Sequence, residues 1–158
     1  MYNDLNNKKV LVTGSSSGIG LEIAKNFSKA GSIIALNGRN RDRLNKVAKS
    51  IYNSKIVHGN VEDPKIAKKI VIKAASLLNG IDIIVCNVGS GKSVKPGAEN
   101  YLDWQTSFKK NFFSATNIIE ASRKYLVKTK GNIICISSIC GVEYIVGAGD
   151  PLAPHQVD

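Results

Sequence analysis

An open, parallel α/β sheet with helices on both faces is the fold this sequence predicts, and three observations carry that expectation. Five short runs rich in Val and Ile, at 9–13, 32–37, 55–59, 81–86 and 132–137, are continuous rather than alternating, the pattern of strands buried on both faces. Between them lie longer stretches with apolar residues at helical spacing, about 18–30, 40–52, 63–79 and 100–128. Strands separated by helices of this length require parallel crossovers. Finally, three glycines fall within seven residues, Gly14 to Gly20, where the first strand gives way to the first helix.

Each element has its own signals. The first strand, KVLVT, ends at Thr13 and opens into the glycine turn. Ser17 stands where the first helix needs an N-cap, and Gly31 follows its end. The second strand, SIIALN, leads into the charged stretch RNRDRLNKVAKS, and the third is KIVHG. Asp63-Pro64 supplies a cap and a first-turn proline to the third helix. IDIIVC is the fourth strand, 100–128 the fourth helix and NIICIS the fifth strand. After Ser138 the chain turns rich in Gly and Pro and loses periodicity, so residues 1–143 are expected to form one domain and 144–158 an irregular tail.

The totals bound the class. A chain of 158 residues suggests a single domain able to bury a substantial core. No apolar run approaches the roughly 20 residues of a membrane span. MYNDLNNKK is polar and lacks the apolar core of a secretory signal. Cys86, Cys135 and Cys140 are odd in number and show no C-x-x-C spacing. They read as reduced thiols of a cytoplasmic protein, the first two buried in strands, with no metal centre. The net charge of +10 favours an anionic partner. The basic residues, however, recur along the polar faces of the helices, as in EDPKIAKKIVIKAAS. With no helix-turn-helix pattern and no interleaved aromatic and basic residues, nucleic acid is not the expected partner.

In an open parallel sheet, ligands sit beyond the carboxyl ends of the strands. The turn placed there is Gly14, Ser15, Ser16, Ser17, Gly18, Ile19 and Gly20. Gly14 permits a tight turn, Gly18 lets the backbone approach a pyrophosphate, and Gly20 lets helix and strand pack closely. The helix start then offers free N–H groups and the positive end of its dipole to an anion. The spacing is G-x-x-x-G-x-G, neither G-x-G-x-x-G nor a Walker loop, which needs Gly-Lys-Ser/Thr. TGSSSGIG resembles the cofactor turn of the short-chain dehydrogenase/reductase family. The resemblance implies a Rossmann-like doubly wound sheet of about five strands in the order 3-2-1-4-5, and a nicotinamide cofactor.

At the end of the second strand the chain reads Asn37-Gly38-Arg39-Asn40, with no carboxylate between Ser32 and Arg41. An acidic residue here would take the ribose 2′-OH of NAD, whereas an arginine suits the 2′-phosphate of NADP, which a guanidinium can clamp through two hydrogen bonds. NADP is therefore expected over NAD, held by Arg39 with help from Ser15 and Arg43, Asn40 lying beside them. Asn60-Val61 after the third strand resembles the family's Asp-Val, which holds the adenine. Asn87-Val88-Gly89 after the fourth resembles its Asn-Ala-Gly, in which the Asn steadies the sheet.

The resemblance further implies hydride transfer between the nicotinamide and a carbonyl or alcohol substrate, served by four polar residues. Asn111, in FKKNFFSATN, matches the helical Asn that holds a water. Ser138, in GNIICISSICG, matches the Ser that hydrogen-bonds the substrate oxygen, with Ser137 the alternative. The family's Tyr would fall near position 151 and its Lys near 155, where this chain has Pro151 and His155. Tyr144 is the only tyrosine after Ser138, and Ala148 stands four residues on. A truncated or frameshifted reading frame lacking the family's last strands and helices is the expectation, with little or no turnover. The alternative is a non-catalytic NADP-binding sensor or partner-regulating protein. CNVGSGKSVKPG would border the pocket without naming the substrate. The fifth strand would become an apolar, exposed edge prone to self-association.

Overall fold

The computed structural model describes residues 3–91 and 97–138. A short 3₁₀ turn, Asn3–Leu5, precedes β1 (Lys9–Val12), α1 (Gly18–Lys29), β2 (Ile33–Gly38), α2 (Arg41–Ala48), β3 (Ser54–His58), α3 (Pro64–Leu78) and β4 (Ile83–Cys86). There follow α4 (Tyr101–Phe108), a π-helical turn (Lys109–Phe113), α5 (Ser114–Thr129) and β5 (Asn132–Cys135). All strand pairs are parallel, and the order is β3-β2-β1-β4-β5, as the sequence predicted. The proposed tail at 144–158, and Cys140 with it, lies outside the described residues.

The continuous apolar strands are explained by two cores, one on each face of the sheet. Val10, Val12, Ile34, Leu36, Ile83 and Val85 point toward α1 and α2, where Ala24 and Leu44 meet them. Leu11, Ala35, Val57 and Ile84 point the other way, toward Ala67, Ile70, Val71 and Ala74 of α3 and Ile118 of α5. Successive residues of a strand face opposite sides, so a sheet covered twice leaves no polar position. Truncating Leu11 or Ile84, both fully buried, costs about 2–5 kcal/mol.

The helix ends follow local chemistry. Asp63 accepts from the N–H groups of Lys65 and Ile66, with Pro64 at the first helical position. Gly31 takes φ 88 just past α1, the left-handed conformation that suits glycine. Ser17 occupies the N-cap of α1 as predicted, but its side chain makes no capping bond. The basic residues predicted to face solvent on α2 and α3 do so: Arg41, Arg43, Lys65, Lys68, Lys69 and Lys73 are all exposed.

Three expectations are corrected. The second helix is shorter than 40–52, because Ser50 returns both its N–H and its hydroxyl to the Val47 carbonyl and ends it at Ala48. The fourth helix is not uniform, since the π-helical turn breaks it at 109–113. Cys135 is exposed, not buried, while Cys86 is buried; β5 is an edge strand, and all four of its residues are exposed.

Candidate functional site

The site gathers where β1, β2, β3 and β4 end. Its frame is a lock between β1 and β4. The Thr13 hydroxyl donates to the Val85 carbonyl at 3.1 Å and accepts from the Asn87 N–H at 2.9 Å. The Asn87 side-chain amide then donates to the carbonyls of Thr13 and Gly14, at 3.2 and 3.4 Å. The start of the turn, Thr13 and Gly14, is thus tied to the end of β4 by one buried hydroxyl and one amide.

The glycines divide the work. Gly14 turns at φ 65 beneath Val88. A Cβ on Gly20 would run into the Asn87 amide and stand 2.6 Å from the Gly14 carbonyl oxygen, so the helix can approach the strand only here and only without a side chain. Gly18 is the opposite case. Its φ is 56, and nothing lies within 4 Å of where a Cβ would be. That position is bare backbone at the start of α1, facing open space.

A cleft of about 380 Å³ opens at the strand ends, lined by Gly14, Ser16 and Ser17 from the turn, Asn37 to Asn40 and Arg43 from the second crossover, and Gly59 to Val61 and Asn87 to Gly89 from the later strand ends. Most of the sequence-predicted cofactor residues therefore meet in one cleft. Two do not line it. Ser15 is fully buried and spends its hydroxyl on Asn37, accepting from its N–H at 2.9 Å and donating to its carbonyl at 3.2 Å. It staples the turn to β2 and is not placed to help Arg39 hold a phosphate; Ser16, packed against Gly38, lines the cleft instead. Ile19 is exposed beside the cleft, so only its backbone is of use at the helix start.

Arg39 projects from the end of β2 with its side chain 66% exposed, and its guanidinium stands 3.5 Å from a Glu62 carboxylate oxygen. Asn40 is committed to capping α2, accepting from the Arg43 N–H at 2.9 Å. Asn60 likewise accepts from the Glu62 N–H at 3.2 Å, which leaves its backbone and Val61 to border the cleft. Asn37 is 99% removed from solvent, donates to the carbonyls of Val57 and Gly59, and has no partner for its side-chain oxygen. An unpaired buried acceptor on the wall of a cleft is uncommon and marks a place for a donor.

Asn111 sits in the π-helical turn, a feature often found at functional sites. Its side chain pairs twice with the backbone of Ser90, accepting from the N–H at 2.7 Å and donating to the carbonyl at 3.2 Å. The side chain of Asn111 is therefore engaged in fastening the segment following β4 to the helix. Gly89 must be small for this, since a Cβ there would stand 3.3 Å from the Asn111 oxygen. Ser138 lies just past β5, exposed, at the same edge of the sheet. Cys86, registered opposite Cys135, has its thiol pushed up to about 12, first by burial and then by Cys135; it is protonated and unreactive.

The residues present fit a dinucleotide. The turn residues Gly14, Ser16 and Ser17, a cation where the second strand ends, and the unpaired acceptor of Asn37 border one cleft, and the exposed backbone of Gly18 follows Ser17 at the helix start. Glu62 and Thr13 were missed from the sequence. Glu62 falls outside the segment where a cofactor-selecting acid was sought, and Thr13 reads simply as the end of a strand.

Comparison with known proteins agrees. The family model for short chain dehydrogenases matches residues 8–149. An uncharacterized oxidoreductase of Staphylococcus epidermidis is 34% identical over 138 residues, covering 86% of this chain and 60% of that protein. The 3-oxoacyl-[acyl-carrier-protein] reductase of Aquifex aeolicus is 34% identical over 150 residues, covering 90% and 60%. A short chain dehydrogenase from Burkholderia cenocepacia, solved in complex with NADP, superposes with a TM-score of 0.83 at 23% identity, covering 91% of this chain and 60% of that one. The chain spans about 60% of the length of these relatives. With the family model matched over residues 8–149, nearly the whole of the chain, this chain belongs to the short chain dehydrogenase family.

Proposed function

We propose that this chain binds NADP along the carboxyl edge of its sheet, as the nucleotide-binding part of an oxidoreductase acting on a small carbonyl or alcohol. The observation that carries the reading is the cleft that Gly14, Ser16 and Ser17 of the glycine turn share with Arg39. Two relatives support it in their own terms: one is named a 3-oxoacyl-[acyl-carrier-protein] reductase, and another was solved with NADP. Bound NADP would supply the hydride acceptor or donor. The backbone of Gly18, Ile19 and Gly20 would meet its diphosphate, Arg39 and Arg43 its 2′-phosphate, and Asn60 and Val61 its adenine. Val88 and Gly89 leave room beside the nicotinamide end.

The Asn111 side chain, paired with both backbone groups of Ser90, would fix the π-helical turn against the segment that follows β4. The Ser138 hydroxyl would hydrogen-bond the substrate oxygen. A proton must still reach or leave that oxygen, and a tyrosine with a lysine four residues on is absent from the sequence. The chain as it stands therefore binds cofactor and turns over weakly or not at all. The intact turn without that pair also supports a second reading, a non-catalytic NADP-binding sensor. Titration of NADPH followed by its fluorescence, with a carbonyl-reduction assay on the same sample, separates the cases. Binding with little turnover is expected, robust turnover refutes the inactivity, and no binding refutes both readings.

β5 is offered as a self-association edge, since Ile133 and Ile134 point to opposite faces and are 48% and 39% exposed.

A further inference from the structure

We infer that Glu62 sets the discrimination between the phosphorylated and unphosphorylated dinucleotide by holding Arg39. The inference rests on the NADP reading above and names a residue that reading does not use.

The two members of the pair are built differently. Glu62 is held firmly. Its N–H donates to Asn60 at 3.2 Å, and its carbonyl accepts from the Asn117 amide of α5 at 3.3 Å. That same amide also takes the Val61 carbonyl at 3.1 Å. Its side chain is only 19% exposed. Arg39 has its backbone carbonyl fixed by the His58 ring at 3.0 Å, but its side chain is 66% exposed and reaches Glu62 through a single long contact of 3.5 Å. The carboxylate is the fixed post and the guanidinium the moving arm.

This arrangement gives Arg39 two partners at one strand end. With an unphosphorylated ribose it stays on Glu62, and its charge is neutralised. A 2′-phosphate is the better acceptor, because its oxygens can take two guanidinium N–H groups at once, but Arg39 must leave Glu62 to reach it. Glu62 therefore subtracts from the affinity for NADP without touching NAD, and the preference for NADP over NAD is smaller than Arg39 alone would give. Among the described residues, Arg39 and Glu62 form one of two ion pairs, and the other, Lys25 with Glu22, is a single-helix pair away from the cleft.

The experiment measures dissociation constants for NADP and NAD, with adenosine 2′,5′-bisphosphate and AMP as minimal probes, for the unaltered chain and the variants Glu62→Gln, Glu62→Asp, Arg39→Ala and Arg39→Ala/Glu62→Gln. Glu62→Gln should tighten NADP and adenosine 2′,5′-bisphosphate about two- to fivefold, the weight of a partly exposed ion pair, and leave NAD and AMP unchanged. Glu62→Asp, whose shorter arm withdraws from Arg39, should move the same way. In the Arg39→Ala background the Gln change should have no effect. An unchanged NADP-to-NAD ratio in Glu62→Gln overturns the inference while leaving the NADP reading intact. An equal gain with and without Arg39 means simple repulsion and also overturns it. No binding of either dinucleotide by the unaltered chain overturns the NADP reading and this inference together.

Discussion

Gly18 and Gly20 are two residues apart, yet replacing each with alanine should give opposite results. At Gly20 the added methyl would meet the Asn87 amide and the Gly14 carbonyl, the latter at 2.6 Å. Neither can yield, because the amide is held by its bonds to Thr13 and Gly14 and the carbonyl belongs to the turn itself. Overpacking costs about 1–3 kcal/mol, and rigid neighbours put Gly20→Ala at about 3 kcal/mol. At Gly18 there is no clash within 4 Å, so the cost is that of holding a Cβ at φ 56, about 1–2 kcal/mol. The methyl would, however, stand where the diphosphate must meet the backbone. Urea unfolding and NADPH titration read the two effects separately. Gly18→Ala should lose about 1 kcal/mol of stability and at least about tenfold in affinity, a factor worth about 1.4 kcal/mol, whereas Gly20→Ala should lose about 3 kcal/mol of stability. Equal stability losses, or a Gly18→Ala variant that binds NADPH unchanged, would refute the division of labour within the turn.

Other outcomes follow from the same geometry. Arg39→Ala should weaken NADP about tenfold and leave NAD alone; this is the low end for a charge-assisted contact, because Arg39 gives up Glu62 to make it, and equal losses for both dinucleotides would remove Arg39 from the selection. Asn111→Leu, losing both bonds to Ser90, should cost about 1–2 kcal/mol in urea unfolding, while Asn111→Asp keeps the acceptor and costs about half; a neutral Leu variant would mean the pairing is not formed. The Cys86 thiol, raised from 9.0 to about 12 by burial and then by Cys135, favours the folded state fully below about pH 9. That contribution shrinks as pH climbs from 9 toward 12, by at most about 1.4 kcal/mol per unit. Relative to Cys86→Ala, the unaltered chain should lose stability more steeply across that window, and parallel pH curves would contradict the burial. Size-exclusion chromatography at rising concentration should show species larger than a monomer associating through β5, and Ile134→Lys should suppress them; a monomer at every concentration would dismiss this edge as sticky.

The fold was legible because strand burial on two faces leaves a simple mark. Val10 and Val12 face one core and Leu11 the other, so all three must be apolar, and the run shows it. Helix ends were legible where one residue does the capping, as at Asp63. They were not legible at Ala48, where the stop depends on Ser50 folding back on Val47; a serine there reads as one more polar residue of the helix. The π-helical turn at 109–113 was hidden for the same reason. Its apolar periodicity continues, and what distinguishes it is the bond from Asn111 to a strand end 21 residues away.

Within the site, the placement of the glycines was readable and that of the side chains much less so. A glycine declares what the backbone needs, and Gly14, Gly18 and Gly20 each occupy the place their spacing indicated. A serine in the same turn declares nothing, because its use depends on which way the turn points it. Ser15 points inward to Asn37 and Ser16 toward the cleft, a difference set by one residue of rotation. Glu62 is the strongest case. It stands 23 residues from Arg39, on a different strand end, and only the parallel pairing of β2 with β3 brings the two together. A search along the chain for the acid that selects a nicotinamide cofactor looks beside the arginine; the sheet delivers that acid from the neighbouring strand. Whether Glu62 weakens or leaves untouched the grip on a 2′-phosphate therefore tests the turn after β3 as much as the residue, because the bonds from Asn60 and Asn117 to the Glu62 backbone are what hold its carboxylate beside Arg39.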